Sequence, residues 1–514
     1  MTRGDFIRAL GGAAAVLPFE SAVARVGGAK EPTVYDYWCT WGIQNGLVAA
    51  DARRDKSAMA GDQGARGARE RIDEKLIFGA DGWADFFPDV RRGLYMMLDD
   101  GWDVAHGVHP SDRLDLFGSL DPAPDRFGSF GDTPVKRLAG INRALKDRGW
   151  RGAGLWVAAQ NFTARKLEAS AEAGIGYWKV DWGRDGARND YRRQISETKR
   201  RIYPELIVEH MPNRSSVFND WEPATGDGSG RLPEEPDEVI VARMSFSDVV
   251  RIYDMLGPTE TATALERIRY YSRAAERGGN GTVLNVEDNP VVGAVLGHAF
   301  GLMRYPRADA AQSVTVGATG IDEVNRALAW RRFAPVFGAR RDFATVTSAA
   351  RLSASFVFRR GQGWAADAWG REVRQSAPAV VARGLALPEV TCSDARRPFV
   401  LASRNPNGAL AVAVLPPLAQ NEARTPPADV TLAATLERYV PLGVFGEPKS
   451  VTLRDGLGAS RVFARDLLGG RVEEITAAVQ RREGRATIPG DVLASVGMRT
   501  ERESTPGVLV EVKS

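Results

Sequence analysis

The chain reads as an α/β protein in which a (β/α)8 barrel precedes a C-terminal all-β sandwich. Three observations predict this. Short β-rich apolar runs alternate with helical stretches eight times between residues 31 and 340. After about residue 345 helical periodicity fades, and alternating runs are separated by Gly, Pro, Asn and Asp. The 514 residues also exceed what one compact core holds.

The eight expected strands are Val34–Cys39, Gly93–Leu98, Gly152–Ala158, Gly176–Asp181, Glu205–His210, Val239–Met244, Gly281–Val286 and Ser313–Ala318. Near-continuous apolar runs of this length suit a parallel sheet buried on both faces. Between them, Val135, Leu138, Ile141 and Leu145 recur at helical spacing, and Gly149 closes the pattern. The polar stretch Asp51–Gly79 reads as an insertion. In residues 345–514, "SASFVFRR", "ALAVAVL", "KSVTLRD" and "GVLVEVKS" read as antiparallel strands, and Leu418–Asp429, with Pro426 and Pro427, reads as a long loop.

Residues 1–24 carry Arg3 and Arg8, a weakly apolar stretch and then Ala22-Val23-Ala24, an A-x-A-like cleavage site. The segment resembles a twin-arginine leader with Gly4 in place of the second arginine. It implies export to a periplasm or the cell exterior. No run reaches the length of a membrane helix, so no membrane span is expected. A net charge of +3 gives no argument for nucleic acid as a partner.

In a barrel of this kind the chemistry lies at the C-terminal strand ends. Those ends carry Asp36 and Trp41; then Asp99, Asp100 and Asp103; then Trp156 and Gln160; then Lys179 and Asp181. Further along come Glu209 and His210, Arg243 and Asp248, and Glu287 and Asp288. Carboxylates accept hydrogen bonds from hydroxyls, and indoles cover the apolar face of a sugar ring. A pair of carboxyl groups is also what glycoside hydrolysis requires. Lys179 and Asp181 lie two apart on one strand and so face the same way. The lysine charge would keep that carboxylate ionised.

"LDDGW" (Leu98–Trp102), "GLWVAAQ" (Gly154–Gln160), "YWKVDWG" (Tyr177–Gly183) and "RMSFSD" (Arg243–Asp248), in this order, resemble the clan D glycoside hydrolases, the α-galactosidase families 27 and 36 above all. The resemblance covers roughly residues 34–340. It implies a retaining exo-acting α-glycosidase with Asp181 as nucleophile and Asp248 as acid/base. It also implies that Asp99 and Asp100 hold ring hydroxyls, that Lys179 and Arg243 bind the sugar, and that Trp41 walls the pocket. Trp156 and Glu209 join the expected substrate contacts. Arg243 and Asp248 are five positions apart, where family 27 usually has four. Glu209 and Asp288 are therefore kept as reserves for the acid/base role. The substrate expected is an oligosaccharide or glycoside. The same mechanism on an α-N-acetylgalactosaminide or a β-L-arabinopyranoside, glycosyl transfer, and sugar binding without turnover are the alternatives.

No cofactor and no metal are expected. His106 and His109 lack a matched third ligand, and His298 reads as a core histidine. Cys39 and Cys392 have no metal spacing and are not expected to pair. Trp330 reads as helix packing. The glycines of Glu276–Thr282 precede a strand rather than follow one, so they do not form a phosphate loop.

Overall fold

A computed structural model describes residues 33–52, 62–108, 115–211, 237–252, 260–276, 282–306, 321–338, 344–357, 372–417, 425–456, 460–497 and 505–513. The leader-like residues 1–24, His109 and the expected strand Ser313–Ala318 lie outside the described residues. So do most of Glu276–Thr282 and parts of Asp51–Gly79 and Leu418–Asp429.

Eight strands form one parallel sheet: β1 (Tyr37–Cys39), β2 (Tyr95–Leu98), β3 (Gly152–Val157), β4 (Tyr177–Val180), β5 (Ile207–His210), β6 (Val249–Arg251), β7 (Val283–Asn285) and β8 (Gly301–Leu302). Their spatial order is β7-β6-β5-β4-β3-β2-β1-β8. A parallel bridge between Asn285, in β7, and Ala299, just before β8, closes the sheet into a barrel. A helix follows every strand, as parallel neighbours require. After β2, for example, Pro134 opens the helix Pro134–Asp147, the Thr133 hydroxyl caps it, and Leu138, Ile141 and Leu145 are buried.

Alternation along the strands sorts side chains between two cores. Tyr37, Cys39, Met97, Tyr177, Ile207, Val249, Val283 and Met303 fill the barrel interior. Trp38, Met96, Leu155, Trp178, Val208 and Val250 pack outward against helices.

Two of the expected strands are corrected. Val239–Met244 lies within the helix Asp237–Phe246, where Ile240, Arg243 and Met244 are buried at helical spacing. Its β-branched residues read as a strand, but strand six is Val249–Arg251. The last strand is Gly301–Leu302, too short to stand out. Gly301 is required there, because a Cβ would meet the Tyr37 ring at 2.4 Å.

Beyond Thr345 the chain forms an eight-stranded sheet, a five-stranded sheet and a two-stranded hairpin. The two larger sheets make the expected sandwich, with Val400, Val412, Val444 and Val510 facing Val430, Leu432, Val451 and Ile488, but both are mixed rather than antiparallel throughout: Leu410–Leu415 runs parallel to Leu442–Gly446, and Asp429–Leu436 parallel to Ser450–Asp455. Phe399, Leu401, Ala411, Ala413 and Phe445 point the other way and join the barrel's outer core. The eight-stranded sheet is therefore buried on both faces, which explains runs such as "ALAVAVL". Trp330 packs on Phe333 and Phe445, as expected of a packing residue.

A buried ion pair fastens barrel to sandwich. Arg326, on the helix Ile321–Trp330, forks onto Asp466 at 3.0 and 2.9 Å and also donates to the Gly497 carbonyl. Arg326→Ala should leave a buried carboxylate without its partner and cost roughly 3–5 kcal/mol of stability. Urea unfolding measures this. A loss below about 1 kcal/mol would contradict the clamp, and Arg326→Leu with Asp466→Leu should lose less than the single change.

Candidate active site

The site starts from the ends of β2 and β4. Asp99 and Asp100 follow β2. Gly101 turns the chain at φ +108, with Arg69 backbone 2.5 Å from where a Cβ would stand. Trp102 then pins the loop by donating its indole N–H to the Trp156 carbonyl at 3.0 Å. On β4, Lys179 reaches across the barrel. Its Nζ lies 2.7 Å from Asp99 Oδ2 and 3.5 Å from Asp181 Oδ2. Arg192, on the following helix, donates to the Val180 and Asp181 carbonyls and fixes the end of the strand.

Strand β6 supplies the second cation. Arg251 Nη2 donates to Asp181 Oδ2 at 2.7 Å, and its Nε lies 2.9 Å from Glu287 Oε1. Glu287 follows β7 at φ +53, an uncommon conformation for a residue with a side chain. Opposite charges thus alternate through Asp99, Lys179, Asp181, Arg251 and Glu287, across strand ends 2, 4, 6 and 7. Cys39, on β1, donates its thiol to Asp99 Oδ2 at 2.9 Å.

The electrostatics follow from burial set against these pairs. Burial alone would raise the Asp181 pKa; Arg251, then Lys179 and Arg192, outweigh it and leave the carboxyl below its ordinary value. Burial and the Arg251 charge oppose the Lys179 ammonium, but Asp99 and Asp181 carry its pKa well above normal. Burial and the Asp99 charge raise the Cys39 thiol well above its usual range, so it stays a donor. Asp100 is pushed up to about 6, first by burial and then by Asp99 and Asp181, against the pull of Arg69. Asp103 is pushed up to about 7 by burial and Asp100.

The expected site residues divide accordingly. Asp99, Lys179 and Asp181 come together as one ion-paired group. Asp100 stands beside them: its Oδ2 accepts from Arg69 Nε at 2.8 Å, and its buried Oδ1 has no hydrogen-bond partner among the described residues. Trp41 opens the helix after β1, half-buried against the interior cluster. Trp156 is buried among Val104, Phe117 and Ala158.

Three residues are displaced from their expected places. Asp248 precedes β6, so it lies at the strand's N-terminal end, opposite the mouth. There it accepts from Lys199 Nζ at 2.8 Å and the Val208 N–H at 2.9 Å. Arg243 is on a helix and donates to Asn189 Oδ1 at 3.0 Å. Glu209 is fully buried inside the barrel. Tyr37, Tyr177 and Asn285 all donate to it, at 3.0, 2.8 and 2.8 Å, so it acts in the core rather than on substrate or as acid/base. The other reserve, Asp288, accepts from the Met303 N–H and pairs with Arg304. Gln160 accepts from the Arg184 N–H and braces the loop after β4.

Arg251 is the residue that sequence reasoning missed. Its signal was the run Val249-Val250-Arg251, hidden by the misread strand before it. His106 pairs with Glu70, and His298 is a buried core histidine beside Arg383. Cys39 and Cys392 are both free. Among the described residues no three metal-ligating side chains converge, and no helix is long and apolar enough to cross a membrane.

Asp103 yields a pH-dependent expectation. Its folded pKa, about 7, lies above the unfolded value of 3.8, so the native state favours the protonated form. That stability is present below pH 3.8 and lost as pH rises through about 7. Asp103→Asn removes the titration. Its melting temperature relative to the parent should climb between these values and level off above them. A pH-independent difference would contradict the burial argument.

No protein-family model matches the chain, and no curated protein matches its sequence. Among solved structures, it is similar to a GH27 β-L-arabinopyranosidase from Geobacillus stearothermophilus. The two share 10% identity over 87% of this chain and 95% of that one, with a TM-score of 0.39. It is also similar to a candidate α-galactosidase/melibiase from Bacteroides fragilis, at 11% identity over 92% and 78%, with a TM-score of 0.34. A candidate chitinase A from Streptomyces coelicolor shares 12% identity over 48% and 77%, with a TM-score of 0.21. The barrel itself rests on its strand order, and the chemistry of the mouth on its own side chains.

Proposed function

We propose that the barrel mouth is the active site of a retaining, exo-acting α-glycosidase of α-galactosidase type, with Asp181 as the nucleophile. The observation that carries the reading is one carboxylate held ionised between two cations, Lys179 at 3.5 Å and Arg251 at 2.7 Å, at the C-terminal end of a barrel strand. Both cations meet Oδ2, and Oδ1 is the attacking atom. It forms a bond to the anomeric carbon while the bond from that carbon to the leaving oxygen breaks. The leaving oxygen takes a proton from a second carboxyl group. The same group, now a base, removes a proton from water, which attacks the anomeric carbon and frees Asp181. Asp100 Oδ1 accepts a ring hydroxyl, and Trp41 bounds the pocket.

The acid/base role leaves Asp248, whose place at the far end of β6 puts it out of reach of a substrate at the mouth. Asp254 is the next acid in sequence after Arg251 and lies outside the described residues.

Nitrophenyl α-galactoside, α-N-acetylgalactosaminide and β-L-arabinopyranoside are the assay panel. Asp181→Asn should lose several orders of magnitude in turnover while keeping its fold, at about 1.4 kcal/mol of barrier per tenfold. Near-parental turnover in that variant would overturn the assignment, and no turnover of any glycoside by the parent would favour sugar binding alone.

Asp248→Ala should lose stability, because Lys199 is left unpaired, while its rate loss stays independent of leaving-group quality and unaffected by azide. Azide should instead restore turnover on activated glycosides in Asp254→Ala. Rescue of Asp248→Ala would return the role to that residue.

A further inference from the structure

The outermost layer of the sandwich is the five-stranded sheet, whose strands run side by side as Glu389–Thr391, Asp429–Leu436, Ser450–Asp455, Arg485–Pro489 and Gln480–Arg482. One face is core, with Val430, Leu432, Val451, Leu453, Ala486 and Ile488 buried. The other face carries an unusual register. Arg454 lies directly across from Arg485, and Arg485 directly across from Arg482. Cross-strand partners point to the same side, and neighbouring strands are about 4.8 Å apart. Three guanidinium groups therefore stand in one row across three strands.

All three are exposed, and among the described residues none has an ion pair, a side-chain hydrogen bond or a ring contact. Like charges placed directly opposite one another destabilise a sheet. The chain tolerates that cost in a face whose other residues include Ala433, Ser450 and several threonines, with Glu389, Asp429 and Gln480 among them.

Beside the row, the next cross-strand rank is Glu389, Thr431, Thr452, Thr487 and Gln480. Between Thr431 and Thr435 the pairing with the next strand slips. A cavity of about 150 Å³ lies over this irregularity, lined by Glu389, Thr431, Ala433, Arg454 and Arg485 among others.

We propose that this face binds an anionic glycan, with the carboxylate or sulfate of one sugar unit held by Arg454 and Arg485. Arg482 takes the charge of a neighbouring unit, and Glu389 and the Thr431 hydroxyl bind sugar hydroxyls in the cavity. Guanidinium groups pair bidentately with carboxylates and sulfates. A carboxylate among the walls accepts hydrogen bonds, and so suits a ligand that donates hydroxyls, which a polyphosphate chain does not carry. The five strands present no aromatic side chain on this face, so nucleic-acid bases have nothing to stack on. The inference does not depend on the barrel being a glycosidase.

The test is affinity electrophoresis of the full chain through gels holding polygalacturonate, dextran sulfate, dextran or polyphosphate. Retardation is expected with polygalacturonate or dextran sulfate, and weaker or none with dextran and polyphosphate. The source of the anion, uronate or sulfate ester, is read from which of the first two retards more. Arg454→Ala with Arg485→Ala should weaken that binding about tenfold or more. Glu389→Gln should weaken binding to the glycan without moving polyphosphate. Arg396→Ala, whose side chain pairs with Asp394 outside the row, should change nothing. Circular dichroism of each variant checks the fold. Equal retardation by polyphosphate, no retardation by either acidic glycan, or unchanged binding in the folded double variant would each overturn the proposal.

Discussion

The contact on which the site depends is that of Arg251 and Lys179 with a single oxygen of Asp181. Either cation alone would sit in the barrel with little water to solvate it, and so would the carboxylate. Together they neutralise enough charge for all three to remain ionised under burial, which is what the direction of the Asp181 shift reflects. Each cation is itself held by a second acid: Asp99 for Lys179, Glu287 for Arg251. The outer members are fixed in turn. Asp99 accepts from Cys39, from Lys179 and from the Asp100 N–H. Glu287 is held in a strained backbone conformation. A carboxylate placed this way loses little on binding a substrate, because its partners are already in position.

The barrel makes that arrangement affordable by placing polar layers above apolar ones. Below the ion-paired group, Tyr37, Tyr177 and Asn285 saturate Glu209, and Met97, Ile207, Val249 and Val283 fill the remaining interior. Around the outside, helices cover the reverse faces of the same strands, and the sandwich packs on two of those helices, Pro290–Leu296 and Ile321–Trp330. Burial on both faces fixes the strand register, because a one-residue slip would exchange the side chains of the two cores. It keeps four strand ends in the register that the charge alternation needs.

Much of this was legible in the sequence. The alternation of strand and helix implies the barrel, and the period-two rule alone puts Lys179 and Asp181 on one side. The change of texture after residue 345 marked the sandwich. What failed was the segment from Val239 to Asp248. A β-branched helix and a short buried strand carry the same apolar signal, and periodicity cannot separate runs of this length. The error moved Arg243 and Asp248 to the mouth and hid Arg251. Glu209 misled for another reason. A charge at a strand end reads as functional, and only the contacts of Tyr37, Tyr177 and Asn285 reveal that it is satisfied within the core. Gly301–Leu302 was invisible because two residues are too few to show a period, and one of them is a glycine held by the nearby Tyr37 ring.

The central claim is that Asp181 forms a covalent bond to the sugar, and trapping tests it most directly. A 2-deoxy-2-fluoro glycosyl fluoride of the preferred sugar forms the glycosyl-enzyme and slows its breakdown. Mass spectrometry of the intact chain, then of its peptides, locates the added sugar. One sugar per chain is expected, on the peptide containing Asp181, and none in Asp181→Asn. A label on a different carboxylate would contradict it, as would an enzyme that turns over glycosides with inverted configuration and never takes up a label.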